Sequence, residues 1–464
     1  MVEALPTGYY LDNFQIVLDQ VARCYPDLLA AEEHRFLLDF HYLSLDARRL
    51  YVRLYGRKGP LFRDDTLCYP EIPDIRGAAA ELVRGKFADD APEADAADLL
   101  ALLRKPELAT LAGGALPRTA RRPDLLDWLR DQYAADEVRV RLGFRVLRLL
   151  RTPTLDVFKL LYFGNLDQDF TEFILSDLGI TPYEDYALDP GHRCFETRET
   201  IDRTCRLYAL RALARDHLDA LSGTELLALA DATPRIDEPV MDHRAGRLLA
   251  RVGRQLERLG DTDAALAVFE RTNAAPSRER CTRLHANRGE DAKALELCWQ
   301  ILTDPEDESE YDFAVRFAHR HARRIRASLP GWPALPDVSY CKRAMCLEPT
   351  GDRVEESVRG ALSIAGTQAW YVENALFTGL FGLAFWDIIF QGLPGAFVHP
   401  FQRGPLDLFT PAFRTRRRDQ IDTRLREMTH APALAARIFE TWKRAIGAPT
   451  ISSPGTGSRS TCWP

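Results

Sequence analysis

The sequence predicts a mainly α-helical protein built from several domains. Three observations carry that reading. The chain has 464 residues, enough for roughly three domains on length alone. Apolar residues recur at helical spacing, as in Phe14, Val17, Leu18 and Val21, and again in Phe36, Phe40 and Leu43. The stretch LGDTDAALAVF at 259–269 also returns 29 residues later as RGEDAKALELC at 288–298. Each copy sets a glycine and an acidic residue before an Ala/Leu face. That is the pattern of a tetratricopeptide-like helical repeat with a period shorter than the usual ~34 residues. Two similar helical hairpins outside any solenoid are the alternative.

Composition narrows the function classes. The chain is 46% hydrophobic, 28% charged and 10% aromatic, ordinary for a soluble globular protein. A net charge of −7 argues against a nucleic-acid binder that uses its whole surface, while leaving room for a local basic groove. The nine cysteines include no Cys-x-x-Cys pair, so a zinc site is not expected and the thiols read as reduced. The N-terminus, MVEALPTGYYLDNF, lacks the basic and apolar regions of a signal peptide. The apolar run 375–386 is too short for a membrane span and reads as a buried helix. A cytoplasmic location is expected, associated with the nucleoid in a bacterium.

Residues 1–87 read as an N-terminal helical region. Ser44 is placed to N-cap a helix with Asp46 in its first turn, which Gly59-Pro60 ends. The alternation in LFRDDTLCYPEI, 61–72, reads as a short hairpin or wing. The acidic stretch 88–97 suits a linker. Residues 99–129 hold two leucine-rich helices around a Gly-Gly and proline turn with a basic cluster, and resemble the SAP module, a small helix-loop-helix DNA-binding fold. The SAP-like region is placed at 88–155, the repeat-like helical region at 156–345 and a C-terminal module at 346–464.

Four arginine clusters are candidates for phosphate contact. The first holds Arg48, Arg49, Arg53, Arg57, Lys58 and Arg63. The second holds Arg139, Arg141, Arg145, Arg148 and Arg151, and the third Arg316, His319, Arg320, Arg323, Arg324 and Arg326. Arg414 and Arg416 to Arg418 make the fourth. Tyr51 and Tyr55 interleave with the first cluster and suit stacking on bases at a frayed end. Solvated helix faces are the plain alternative. The residues selected for DNA contact are Tyr51, Arg53, Arg57, Lys58, Arg121, Arg122, Arg145, Arg148, Arg320 and Arg323.

The segment YVENALFTGLFGLAFWDIIF, 371–390, brackets an apolar run with Glu373 and Asp387. On one straight helix these lie about 21 Å apart, so both cannot ligate one metal ion. The sequence has no phosphate-cradling glycine loop, no Gly-x-Ser-x-Gly and no His-Glu-x-x-His.

Four stretches carry a family resemblance: GYYLDNFQIVLDQV at 8–21, LYVRLYGRKGPLFRDDTLCYPEI at 50–72, the segment at 371–390, and PFQRGPLDLFTPAF at 400–413. Through them the chain resembles the Fanconi-associated nucleases, structure-specific DNA nucleases that end in a virus-type replication-repair nuclease domain. The resemblance implies an α/β nuclease module of PD-(D/E)xK type, cleavage of 5′ flaps and 5′ exonuclease trimming with Mg²⁺ or Mn²⁺, and a role in interstrand-crosslink repair. It puts Glu373 at a metal ligand and leaves Asp387 to fix a helix end.

The family's later Pro-Asp and Glu-x-Lys-Gly segment is not found after Asp419, and the polar tail after 446 reads as disordered. The resemblance therefore implies a partial, C-terminally truncated nuclease module and a nearly inactive chain. The competing functions are a non-catalytic DNA-junction binder and a helical-repeat interaction protein, with a protein partner on the middle helices and no membrane.

Overall fold

The computed structural model describes residues 6–447 apart from 58, 118, 169–182, 185, 187, 336–341, 343, 348–350, 352, 364–366 and 374. The chain divides into two compact units. The first takes Met1–Tyr183, Leu188–Ile201 and Val398–Phe401. The second takes Glu184–Ala187, Asp202–Phe397 and Gln402–Pro464. The described residues are mostly helical, as the apolar spacing requires.

The first unit opens with helices α1 (Tyr9–Cys24), α2 (Ala31–Tyr42) and α3 (Leu45–Tyr55). Phe14, Val17, Leu18 and Val21 form the buried stripe of α1. Ser44 caps α3 as its sequence position predicts, accepting from the Ala47 N–H at 3.2 Å. The helix stops at Tyr55 with Gly56 as its C-cap, four residues earlier than the Gly-Pro pair. Phe36 centres an aromatic core. Its ring lies 5.7 Å from Phe40, 5.4 Å from Phe87 and 5.5 Å from Phe158 of α9 (Thr152–Phe163). Such tilted and offset rings bury large apolar area and add about 0.5–1.5 kcal/mol per pair.

A small sheet flanks these helices. Strands β1 (Leu61–Arg63), β2 (Ala88–Asp89) and β3 (Val146–Leu149) pair antiparallel in the order β1-β3-β2, with Leu61 opposite Arg148 and Ala88 opposite Leu149. Two expectations change here. Residues 61–72 form no local hairpin, because β1 runs into a 3-10 turn (Asp64–Thr66) and finds its partner more than eighty residues later. Residues 88–97 are not all linker, because Ala88 and Asp89 form a sheet edge after α4 (Ile75–Arg84). Strands of two to four residues leave almost no alternation to read, and pairing at that separation has no local signature.

Between β2 and β3 lie α5 (Ala96–Ala101), α6 (Lys105–Leu111), α7 (Arg122–Gln132) and α8 (Ala135–Val140). Leu99, Leu100, Leu103, Leu108, Leu125, Leu129 and Val138 make their common core, joined by Leu61 and Val146 from the sheet.

In the second unit the 29-residue repeat is structural. Gly260 and Gly289 both adopt positive φ, 86° and 77°, a conformation glycine enters without a Cβ penalty. The helices Thr262–Phe269 and Asp291–Thr303 begin 29 residues apart. Ala265 matches Ala294 and Phe269 matches Cys298, all four buried. The helix Pro239–Arg258 packs on Thr262–Phe269, Ser277–Asn287 on Asp291–Thr303, and that helix on Glu308–Ile325.

The C-terminal part of this unit holds helices Val354–Leu362, Ala375–Ala384, Trp386–Ile389, Pro411–Arg416, Arg418–Met428 and Ala431–Gly447, with no strand among the described residues. Ala384, Phe385, Ile388, Ile389 and Phe413 form its core. The expected buried helix at 375–386 is only half buried. Phe377 is 80% exposed and Phe381 44% exposed, and burial begins at Gly382. Hydropathy records what a segment prefers; burial also needs a layer to cover it.

Candidate nucleic-acid interface

The SAP-like region places its cations through local capping. Glu107 accepts from the Arg104 N–H at 2.6 Å, and Asp124 accepts from the Arg121 N–H at 2.9 Å. Gly113 and Gly114, both at positive φ, start the turn between α6 and α7. Arg104, Lys105 and Arg121 are thereby exposed at helix starts. Among the described residues the Arg121 guanidinium has no hydrogen-bond or ion-pair partner. Arg122 differs, since its Nη2 donates to the Ala101 carbonyl at 2.8 Å and closes the hairpin.

Arg63 shows how an arginine of a basic cluster can serve the fold. It is buried, donates to Asp65 at 2.8 Å and to Glu107 at 2.7 Å, and lies 3.9 Å over the Phe144 ring. Its hydrogen bonds, with the Arg104 N–H, hold the Glu107 carboxyl down at about 2. Arg63 thus ties α6 to the sheet.

Several selected residues are similarly engaged. Tyr51 is fully buried among Phe36, Phe40 and Phe87, and its hydroxyl donates to the Leu150 carbonyl at 2.9 Å. It is a core residue and cannot stack on a base. Arg53 donates to Glu71 at 2.6 Å and covers the Tyr10 ring at 4.0 Å. Arg145 pairs with Asp64 at 3.0 Å, and Arg148 donates to the Glu93 carbonyl. Arg151, at positive φ, pairs with Asp39 at 2.7 Å and donates to the Lys86 and Gly85 carbonyls. Arg145, Arg148 and Arg151 of the second cluster therefore hold strand β3 and its flanks to their surroundings. Arg57 is exposed with its guanidinium on the Tyr69 hydroxyl at 3.0 Å. Lys58 lies outside the described residues.

In the second unit, Arg320 and Arg323 are exposed on the helix Glu308–Ile325. Their neighbours are engaged: Arg316 with Asp312, Arg324 with Asp291, and His319 with the Pro333 carbonyl. The fourth cluster splits. Arg417 is buried against Asp407 at 2.9 Å and Arg416 joins it at 3.0 Å, while Arg414 and Arg418 are exposed. One basic face lies outside the four sequence-clustered groups. Arg244, Arg247, Arg251, Arg254 and Arg258 alternate at three and four residues along the helix Pro239–Arg258. Its signal is helical spacing rather than local density.

The two acids bracketing the apolar segment have different surroundings. Asp387 pairs with Arg424 at 2.8 Å, and that guanidinium holds its carboxyl below the usual range. It fixes the helix Trp386–Ile389 against Arg418–Met428. Glu373 is exposed in the turn before Ala375–Ala384 and accepts from the Tyr371 hydroxyl. Among the described residues no group of three His, Cys, Asp or Glu side chains is gathered as a cation site. Hard divalent cations need several oxygen donors, so the described residues do not by themselves fit Mg²⁺ or Mn²⁺.

Residues 8–89 match the family described as "FAN1, HTH domain", and residues 95–137 match "Fanconi anemia-associated nuclease SAP domain". The Fanconi-associated nuclease 1 homolog of Pseudomonas aeruginosa is 34% identical over 421 residues, covering 89% of this chain and 74% of the relative. The Arabidopsis thaliana homolog is 28% identical over 491 residues, and the chain spans 54% of its length. A crystal structure of paFAN1 bound to 2-nucleotide 5′-flap DNA with a gap superposes at a TM-score of 0.83. It is 31% identical, covering 96% of this chain and 82% of that one. No described helix is long and apolar enough to cross a membrane. The chain belongs to the Fanconi-associated nuclease family.

Proposed function

We propose that this chain is a structure-specific DNA nuclease that engages branched duplex DNA bearing a 5′ flap, in the service of interstrand-crosslink repair. The observation that carries the reading is its likeness, over nearly its whole length, to a relative solved on 5′-flap DNA. The exposed arginines support it. Arg121 on the SAP-like hairpin, and Arg320 and Arg323 on the helical repeat, are free of strong ion pairs and suit a phosphate backbone. Arg57 and Arg122 lie close enough to the surface to add to the contact, each from a neutral partner.

When bound, a divalent ion would supply charge neutralisation at the scissile phosphate and an activated water. Glu373 is the described carboxylate at the position where the family resemblance implies a ligand. It would join a cation only with further donors from outside the described residues. Binding is accordingly the function that the described residues support by themselves.

The test is a labelled 5′ flap and an unbranched duplex of the same length, each titrated with the full chain in EDTA and in Mn²⁺. The reading expects tighter binding of the flap in both buffers, with Mn²⁺-dependent cleavage of the flap that Glu373→Ala abolishes. Equal binding of the two DNAs would overturn the structure-specific reading. Mn²⁺-dependent cleavage that survives Glu373→Ala would overturn the assignment of Glu373 as a ligand.

A further inference from the structure

A cleft in the second unit takes no part in the DNA contacts proposed above. It has a volume of about 760 Å³ and opens between the start of the helix Pro239–Arg258, the turns 270–274 and 304–306, and the helix Pro411–Arg416. That lies within the range of about 300–1,000 Å³ for clefts that bury a drug-sized ligand. Part of its wall is apolar, made by Pro234, Pro239, Leu249, Ala274, Pro305 and Pro411. Four of these six are prolines with a fixed φ, and two of them open their helices, so the wall is preformed. Gly246 also lines the cleft. A Cβ there would fall 2.3 Å from Thr272 Oγ1, so this glycine sets how closely helix and turn approach.

The charged part of the lining is acidic once its engagements are followed. Arg271, Arg278 and Arg416 line the cleft but direct their guanidinium groups to Asp231 at 2.9 Å, Glu310 at 2.5 Å and Asp407 at 3.0 Å, none of which lines it. Arg235 is left against Asp242, Glu270, Asp304 and Glu306, four carboxylates to one guanidinium. Among the described residues the exposed Asp242 and Asp304 carboxylates have no hydrogen-bond or ion-pair partner. Glu306 is fixed in place at 12% side-chain exposure. One of its oxygens accepts from the Ala275 N–H, and the other faces His243 Nε2 at 3.5 Å. Burial pushes the His243 imidazole below its ordinary value, so at neutral pH it does not cancel the Glu306 charge.

These acids do not converge on one point, since among the described residues no three His, Cys, Asp or Glu side chains gather as a cation site. A compact divalent ion is therefore a poor fit. An arginine side chain is a good one: its methylenes lie along proline and alanine, and its planar fork meets carboxylates. Exposed Asn273 on the lining adds a donor and an acceptor for a peptide main chain. We propose that this cleft docks an extended segment of a partner protein that presents an arginine, with Glu306 and Asp242 receiving its guanidinium group. The contact goes beyond the proposed nuclease function and does not depend on it.

The experiment is fluorescence anisotropy of the full chain with a labelled Pro-Ala-Arg-Ala-Pro peptide and with its citrulline counterpart, which keeps the shape and loses the charge. Wild type is compared with Glu306→Gln, with Asp242→Asn and with Glu296→Gln as an exposed control. The arginine peptide is expected to bind about tenfold more tightly than the citrulline peptide, the loss that follows removal of a charge-assisted hydrogen bond. Glu306→Gln and Asp242→Asn should each erase most of that preference, and Glu296→Gln none of it. Glutamine at 306 keeps an acceptor for the Ala275 N–H, so the unfolding midpoint should stay in place. Asp242→Asn, on an exposed side chain, reads the same charge without risk to the fold. Equal affinity for the two peptides, or none for either at about 1 mM, overturns the proposal. So does a preference that both variants retain. Displacement of the arginine peptide by spermine at the same ionic strength would overturn the peptide as occupant in favour of any extended cation.

Discussion

Asp407→Asn should loosen the C-terminal helical core far more than any exposed charge change nearby. Asp407 and Arg417 are both fully buried and 2.9 Å apart. Arg417 also donates to the Ile388 carbonyl at 3.1 Å and packs 4.4 Å over the Phe413 ring, so one guanidinium joins three segments of chain. Removing the carboxylate leaves that cation buried without its counter-charge, a change that costs about 3–5 kcal/mol. Arg416, also on Asp407 at 3.0 Å, keeps 30% of its side chain exposed and can turn to water. Arg416→Gln should therefore cost about 1 kcal/mol or less. The assay is hydrogen exchange of the Ile388, Ile389 and Phe390 amides, which bond to the Phe385 and Trp386 carbonyls. A loss of 3 kcal/mol in local opening speeds their exchange by more than about a hundredfold. Less than a threefold change for Asp407→Asn, or equal effects of the two variants, would refute the buried-pair argument.

Three further outcomes follow from the geometry. Tyr51→Phe should cost about 1 kcal/mol, the worth of its hydrogen bond to the Leu150 carbonyl, while flap affinity stays unchanged; an affinity loss without a stability loss would return Tyr51 to the DNA. Gly253→Ala should destabilise despite alanine's better helix propensity, because the added Cβ would sit 2.6 Å from the buried Phe269 ring; urea midpoints check the sign. The Arg63–Glu107 contact should fade in acid. Glu107 is held at about 2 against an ordinary value near 4.3, so its contribution is complete above pH ~4.3 and is lost as the pH falls toward 2. Glu107→Gln should flatten the pH dependence of the melting temperature in that window, and an unaltered profile would show the contact to be idle.

Much of the fold was legible because its signals are local. The stripe of α1, the Ser44 cap and the glycine-acid turns of the 29-residue repeat each lie within a few residues of what they determine. The sheet was not legible as such, since β2 is two residues long and pairs with a strand from the far side of four helices. The interface was legible only in outline. Arg53, Arg63, Arg121 and Arg417 have the same chemistry in the sequence; their roles diverge through Glu71, Glu107 and Asp407, partners set by tertiary packing. The arginine row from 244 to 258 went unnoticed because its members are spread along one helix face instead of crowded in sequence. Glu373 stood out through family likeness, and the structure adds its exposure and its contact with Tyr371.

The division of arginines between those that hold the chain together and those that meet DNA is tested most directly by a matched pair of variants. Arg121→Gln and Arg53→Gln each remove one positive charge from the first unit. The salt slope of 5′-flap affinity and the unfolding midpoint are measured for both. Arg121→Gln should lower the slope by about 0.9 and leave the midpoint in place. Arg53→Gln, which strands Glu71 at 7% side-chain exposure, should lower the midpoint and leave the slope in place. The reverse pattern would contradict the assignment of both residues.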